Sequence, residues 1–439
     1  MVDRAQDDVV AVVMAGGMGA RLRPLTDARA KPAVNFAGIH RIIDFTLSNC
    51  INSDIRKIHV LTQYKSHPLS NHLKMGWNFL SRRLGQFIDE IPAQMQKGTN
   101  WYEGTADAIR QNLSFIAHES PRLVLILAGD HIYKMDYRLL RRFHEATGAA
   151  ATISVVRVDA AQAAGRYGVV QLGDDGKVRG FDEKPTDPAR IPGSNDCFAS
   201  MGIYLFNFDV LEQVLSSDWA DFGQDVFARL VEAGHPVYGF DFSTRNAIQE
   251  YQYITRGGQR LKVLSSRASD SDYWRDVGTI PAYWLASLDV VSTSPRFNLY
   301  GERWPIFTCP QFFPPAKFVH ESPGRVGSAV NSIVSNGVII SGGTVRNSVL
   351  GPGLYVHSFA LVENSVLLGG TISGGLVFET SVGRHARIRN AIIDKTTIIG
   401  EGVQLGYDRA ADEARGLTTC DIEGSPDYIV VVPKGAVVS

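Results

Sequence analysis

The chain has 439 residues, too many to organise readily around one hydrophobic core, so two domains are expected. Its 44% hydrophobic and 20% charged residues are ordinary for a globular protein, and 44 Lys plus Arg against 45 Asp plus Glu leave no net field to recruit nucleic acid or an anionic membrane. The opening MVDRAQDDVV has acids where a secretion signal has a basic end, no stretch reaches about eighteen apolar residues, and Cys50, Cys197, Cys309 and Cys420 form no Cys-x-x-Cys pair. A cytoplasmic chain with reduced structural thiols is expected.

In chain order, VVAVVMAGG, IRKIHVLTQY, RLVLILAGD, ATISVVRV and SMGIYLFN read as short buried strands that end at glycine or a polar turn. Helices are expected between them. Thr105 is placed as the N-cap of one whose Ile109, Leu113 and Ile116 share a face, with Pro121 at the exit; FGQDVFARLVEAG forms another, ending at Gly234. This alternation predicts a largely parallel α/β sheet with its ligand at the carboxyl ends of the strands. Beyond about Val290 the chain turns rich in proline and aromatics and reads as a packed connector. Then Asn331-Ser332-Ile333-Val334 recurs at Asn347, at Asn364 and, as Asn390-Ala391-Ile392-Ile393, after a longer interval. Ile333, Ile339 and Val345 are spaced by six, the signature of a parallel β-helix of short strands.

Chemistry concentrates in a few segments. In AGGMGARLRPLT, Gly16, Gly17 and Gly19 would let backbone N–H groups approach an anion, and Arg21 adds a planar cation. The segment matches neither the Rossmann nor the Walker spacing, and a glycine turn alone also fits a tight strand-to-loop connection. Lys31 in RAKPAV supplies a second cation, a set suited to a triphosphate or pyrophosphate. Asp130 ends the strand LVLILAGD and Asp276 sits in YWRDVGT; together they could meet at one Mg²⁺. In DEKP, Lys184 could hold a sugar phosphate, although such a run also composes solvated loops. Trp101 and Tyr102 could stack a base, wall a sugar or form a core pair. His131 reads as a packing and hydrogen-bonding residue.

The set AGGMGARLRPLT, RAKPAV, RIIDFTLSN, LTQYKSH, WYEGTADAI, LAGDHIYKMDY, DEKP, ASMGIYLF, DFGQD and YWRDVGT, in this order, resembles the bacterial ADP-glucose pyrophosphorylases, or glucose-1-phosphate adenylyltransferases. The hexad tail resembles their left-handed β-helix. The resemblance implies a Rossmann-like, largely parallel (mixed) sheet domain over residues 1–290, a connector over 291–316 and a β-helix for assembly and regulation over 317–439. It implies AMP transfer from ATP to α-D-glucose 1-phosphate, giving ADP-glucose and pyrophosphate for glycogen synthesis, in a homotetramer.

By resemblance, Ala15, Gly16 and Gly17 line the nucleotide with Gln63 near adenine, and Arg21 and Lys31 steady the triphosphate. Asp130 and Asp276 hold Mg²⁺. Glucose 1-phosphate is expected to meet Tyr102, Gly168, Glu183, Lys184, Ser200, Tyr204, Asp221 and Trp274. Arg29 and Arg41 match effector positions, with Arg387 or Arg389 expected to complete that pocket. Activators are expected to be phosphorylated sugars or pyruvate, and inhibitors AMP, ADP or phosphate. Ala28 departs from the lysine of fructose-bisphosphate-activated members, which favours fructose 6-phosphate or pyruvate. Met18 and Asp182 also depart from the usual motifs without removing a catalytic group. The alternatives are a transferase using UTP, dTTP or GTP, a bifunctional enzyme with an acetyltransferase coil, and a non-catalytic regulatory subunit of the same architecture.

Overall fold

The computed structural model describes residues 8–94, 101–217, 219–373 and 376–439. Nine strands make one sheet: β1 (Val9–Met14), β2 (Lys57–Thr62), β3 (Phe87–Pro92), β4 (Leu123–Ala128), β5 (Ala151–Asp159), β6 (Val169–Leu172), β7 (Val178–Asp182), β8 (Asp196–Asn207) and β9 (Val237–Asp241). They lie in the order β7-β6-β8-β4-β1-β2-β3, with β5 on β8 and β9 on β5. Strands β4, β1, β2 and β3 are parallel, and Val12 stands beside both Ile126 and His59. The SMGIYLFN strand, β8, runs antiparallel to β4 and β5, so the sheet is mixed. The patterning agrees with this: β1 and β4 are almost wholly buried, as strands covered on both faces must be, whereas β8 alternates buried and half-buried residues.

The helix expected after Thr105 differs in two details. Its N-cap is Gly104, and it breaks at Asn112 into Thr105–Gln111 and Leu113–His118. There the Asn112 amide donates to the Ala108 carbonyl and to the Tyr102 hydroxyl, diverting it from regular helix. The second expected helix opens as a π-turn, Phe222–Phe227, continues as Ala228–Glu232, and stops before Gly234 at φ +77°. All four cysteines are free thiols.

Parallel coil strands begin at Lys317–Val319 and stack into three sheets around a core of Val, Ile and Leu. Asn331, Asn347, Asn364 and Asn390 each occupy a left-handed corner, with φ between +46° and +49°, a conformation asparagine tolerates. Each following serine links coils: Ser332 Oγ accepts from Ser348 N, Ser348 Oγ from Ser365 N, and Ser365 Oγ from Ala391 N. The repeat therefore specifies a corner and a stitch.

One coil face packs on the helix Ile280–Asp289, joining Val349, Val366, Ile392, Ile429 and Val431 to Ile280, Tyr283 and Trp284 in one apolar cluster. The Trp284 indole N–H donates to the Asn364 carbonyl at 2.8 Å. No helix among the described residues is long and apolar enough to cross a membrane.

Candidate active site

A cavity of about 710 Å³ opens at the carboxyl ends of β1, β2 and β4, a size suited to small-molecule ligands. Gly16, Gly17 and Gln63 line one side, Glu183, Lys184 and Asp221 the other, with Lys31 and Asp130 between them. A Cβ on Gly16 would stand 3.0 Å from Gln63 Cβ, and one on Gly17 would meet no protein atom, since it would enter the cavity. Gly19, at φ +61°, caps the short turn Ala20–Leu22 that carries exposed Arg21 into the lining. A bulky residue at Gly16 would displace Gln63, so the glycine loop sets how closely a ligand meets the backbone.

The charged centre is assembled from three distant segments. Buried Lys31 donates from Nζ to Asp130 Oδ2 at 2.8 Å and to Asp276 Oδ1 at 2.7 Å. Burial alone would lower the Lys31 pKa, but the two carboxylates overcome it and hold it raised. For Asp130, burial pushes the carboxyl up, yet Lys31 and His131 outweigh it and keep it well below the usual range. Gly278 makes room for Asp276, whose Oδ1 would lie 2.9 Å from a Cβ there.

His131 stands beside this centre, with Nε2 3.5 Å from Asp130 Oδ1. Donor atoms of Asp130, His131 and Asp276 all lie within 4.8 Å of one another, and His131 Nδ1 is buried without a hydrogen-bond partner among the described residues. The Asp130 carboxylate on the cavity wall and the Asp276 carboxylate beside it give the hard oxygen donors Mg²⁺ prefers, so the residues present fit that ion. Trp274 stands behind, its ring edge-on to His131 at 4.9 Å between centroids.

On the far side, Glu183 is cradled by two glycines: its Oε2 lies 2.9 Å from a Cβ at Gly168 and 2.7 Å from one at Gly223. Lys184 adopts φ +49° and its Nζ donates to Glu183 Oε1 at 2.5 Å. That backbone is strained for a lysine ahead of proline, and such outliers cluster at ligand sites. Tyr204 lines the cavity, with its hydroxyl 3.3 Å from Ser200 Oγ and its pKa raised by burial. Tyr102 also lines it, while exposed Trp101 stacks on Tyr64 at 5.9 Å. Ala15, His131, Gly168, Ser200, Trp274 and Asp276 do not line the cavity, although Ser200 and Asp276 bond to Tyr204 and Lys31, which do.

Residues 10–293 match the nucleotidyl transferase family, and residues 314–424 match the GlmU-like C-terminal hexapeptide family. A glucose-1-phosphate adenylyltransferase of Shewanella oneidensis is 42% identical over 435 residues, covering 95% of this chain and 96% of the relative. This chain belongs to the glucose-1-phosphate adenylyltransferase family. Relatives from Alteromonas mediterranea and Pseudoalteromonas atlantica, the second named glucose-1-phosphate adenylyltransferase 2, are likewise 42% identical over 416 residues, or 93% of the chain and 89% and 91% of the relatives.

A second cluster of charges in this family member lies where the coil meets the sheet domain. Arg29, 5% exposed, donates from one nitrogen to both Asp394 oxygens at 2.8 and 2.9 Å. Burial depresses the neighbouring Lys395 pKa to about 7, reinforced by Arg41 and Arg29 and by Lys434, against the pull of Asp394. Arg41 itself donates to the Pro68 carbonyl and is held in place by its N–H bond to buried Asp44. Arg387 and Arg389 do not join this group, contrary to expectation. They stand on another coil face, 4.9 and 4.8 Å from the Tyr407 ring, and Arg389 donates to the Gly406 carbonyl. Strand alternation turns Ile388 inward and both arginines outward, one corner before Asp394.

The sequence reading missed the donor position of His131 and the seam residues Asp394 and Lys395. A signal existed for the latter: an Asp-Lys pair directly after the apolar Ala391–Ile393 strand marks a coil corner with paired charges.

Proposed function

We propose that this chain transfers the adenylyl group of ATP to α-D-glucose 1-phosphate, releasing pyrophosphate and forming ADP-glucose. The observation that carries the reading is the Lys31–Asp130–Asp276 centre between a glycine-walled side and a side bearing Lys184, Glu183 and Asp221. The names of the 42% identical relatives support the same substrates.

The attacking phosphate oxygen of glucose 1-phosphate is already anionic near neutral pH, so the chain need supply neither a covalent nucleophile nor a strong base. Its work is alignment and charge compensation for an in-line displacement at the α-phosphate. The Ala15–Gly17 loop admits the nucleotide backbone-close, with Gln63 beside the base. Arg21 faces the departing pyrophosphate, and Lys31 brings a buried positive charge to the same centre. Lys184 grips the sugar phosphate, while Glu183, Asp221, Tyr204 and Tyr102 bound the glucose. Ser200, Gly168 and Trp274 act through those neighbours: Ser200 on Tyr204, Gly168 on Glu183 and Trp274 on His131. Asp130 and Asp276 would hold Mg²⁺, whose charge offsets the negative charge developing on the phosphates.

In this reading the protein is a cytoplasmic homotetramer serving glycogen synthesis. Phosphorylated activators or pyruvate, and AMP, ADP or phosphate as inhibitors, act at the seam where Arg29, Arg41, Lys395 and Lys434 concentrate positive charge. Retention of Arg21, Lys31, Asp130, Lys184 and Asp276 favours an enzyme over a non-catalytic subunit. The test is pyrophosphate release from glucose 1-phosphate, Mg²⁺ and ATP, UTP, dTTP or GTP in turn. ATP should be preferred; preference for another nucleotide overturns the reading.

A further inference from the structure

Between the two sides of the cavity runs a seam made by residues 104–107 and 220–225. At the start of the helix Thr105–Gln111, the amides of Ala106 and Asp107 both donate to the Ala220 carbonyl, at 2.8 and 3.2 Å. That carbonyl does what a Thr105 cap would have done, and the Thr105 hydroxyl is released for another use. It donates to Asp221 Oδ2 at 2.9 Å and accepts from Phe222 N–H at 3.1 Å. The fit is close: a Cβ on Gly104 would stand 2.3 Å from the Ala220 oxygen.

Asp221 is otherwise committed. Its Oδ1 accepts from Gly223 N at 2.8 Å and Gln224 N at 3.3 Å, capping the π-turn Phe222–Phe227. Oδ2 is thus the atom left to meet a sugar hydroxyl, and among the described residues Thr105 is the only side chain that donates to it. Thr105 follows Tyr102 closely in the chain, and Tyr102 receives a hydrogen bond on its carbonyl from Gln63 at 3.4 Å. Both Thr105 and Asp221 line the cavity.

We propose that Thr105 is a positioning residue that aims Asp221 at the sugar and ties the nucleotide side of the cavity to the sugar side. This rests on the placement of glucose 1-phosphate beside Asp221. Thr105→Val keeps the shape and removes both hydrogen bonds, while Thr105→Ser keeps the hydroxyl. A bond to a carboxylate, discounted because it faces an open cavity, corresponds to about a tenfold rise in KM for glucose 1-phosphate.

The experiment is steady-state kinetics on the full-length chain for the wild type, Thr105→Val, Thr105→Ser and Asp221→Asn, with melting temperatures recorded for each. Thr105→Val should raise KM for glucose 1-phosphate about tenfold, with kcat and KM for ATP each within about twofold, and Thr105→Ser should restore it. An unchanged KM in Thr105→Val, an equal rise in KM for ATP, or failure of Thr105→Ser to rescue would overturn the assignment. Asp221→Asn separates the two levels. If it leaves KM for glucose 1-phosphate unchanged, the sugar placement itself fails; if it raises that KM while Thr105→Val does not, only the role of Thr105 fails.

Discussion

Replacing Lys31 with methionine should destabilise the sheet domain in a way that depends on pH and divalent cations. The Lys31 side chain is 7% exposed and holds two carboxylates, Asp276 at 14% and Asp130 at 34% exposure. Removing one member of a buried charge cluster costs about 3–5 kcal/mol. Because a third of Asp130 reaches water, its share is discounted, and about 3 kcal/mol is expected. For a domain of this size that is a drop of roughly 6 °C in its melting transition.

In the wild type, Lys31 holds the Asp130 pKa below its unfolded value of about 3.9, so the stabilisation is complete above that value and is lost as pH falls through the lower folded pKa. In Lys31→Met the Coulombic partner is gone and burial raises the Asp130 pKa. The deficit should be greatest at about pH 8 and shrink toward about pH 5 as Asp130 takes up a proton. Millimolar Mg²⁺ should recover part of it by binding only the folded state. Thermal melts at both pH values, with Mg²⁺ or with EDTA, measure this. A variant that melts with the wild type at pH 8 in EDTA would show that the Lys31 contacts carry no energetic weight.

Asp130→Asn should lower kcat roughly a hundredfold to a thousandfold while circular dichroism stays that of the wild type; near-normal turnover would remove Asp130 from the chemistry. Lys184→Ala should raise KM for glucose 1-phosphate about tenfold, with KM for ATP little changed, since the contact is to the ground-state phosphate. At the seam, the Lys395 pKa of about 7 lies far below the ordinary lysine value, so a bound phosphate anion should restore its proton. Anion binding should take up protons above pH 7 and weaken as pH rises, which calorimetry in buffers of different ionisation enthalpy reads directly. Lys395→Met should abolish the uptake.

Much of the architecture was legible because it is written in local pattern. Continuous apolar runs announced β1 and β4, and the Asn-Ser repeat announced coil corners, since a left-handed φ and a hydroxyl stitch are local stereochemical needs. The glycine loop and Asp130 were readable for the same reason, standing just after parallel strands where ligands gather. The N-cap assigned to Thr105 failed because a carbonyl more than a hundred positions away supplied the cap. Arg387 and Arg389 were misplaced because a charge pattern does not say which of three coil faces it occupies.

By itself, then, the sequence determined the two-part plan, the family and the residue types available for phosphate chemistry. Tertiary structure alone decided the partnerships: Lys31 with Asp130 and Asp276, 99 and 245 positions away, and Arg29 with Asp394, 365 positions away. Periodicity and turn preference act over a few residues, whereas a buried charge must be matched by whatever the folded chain brings within a few ångströms.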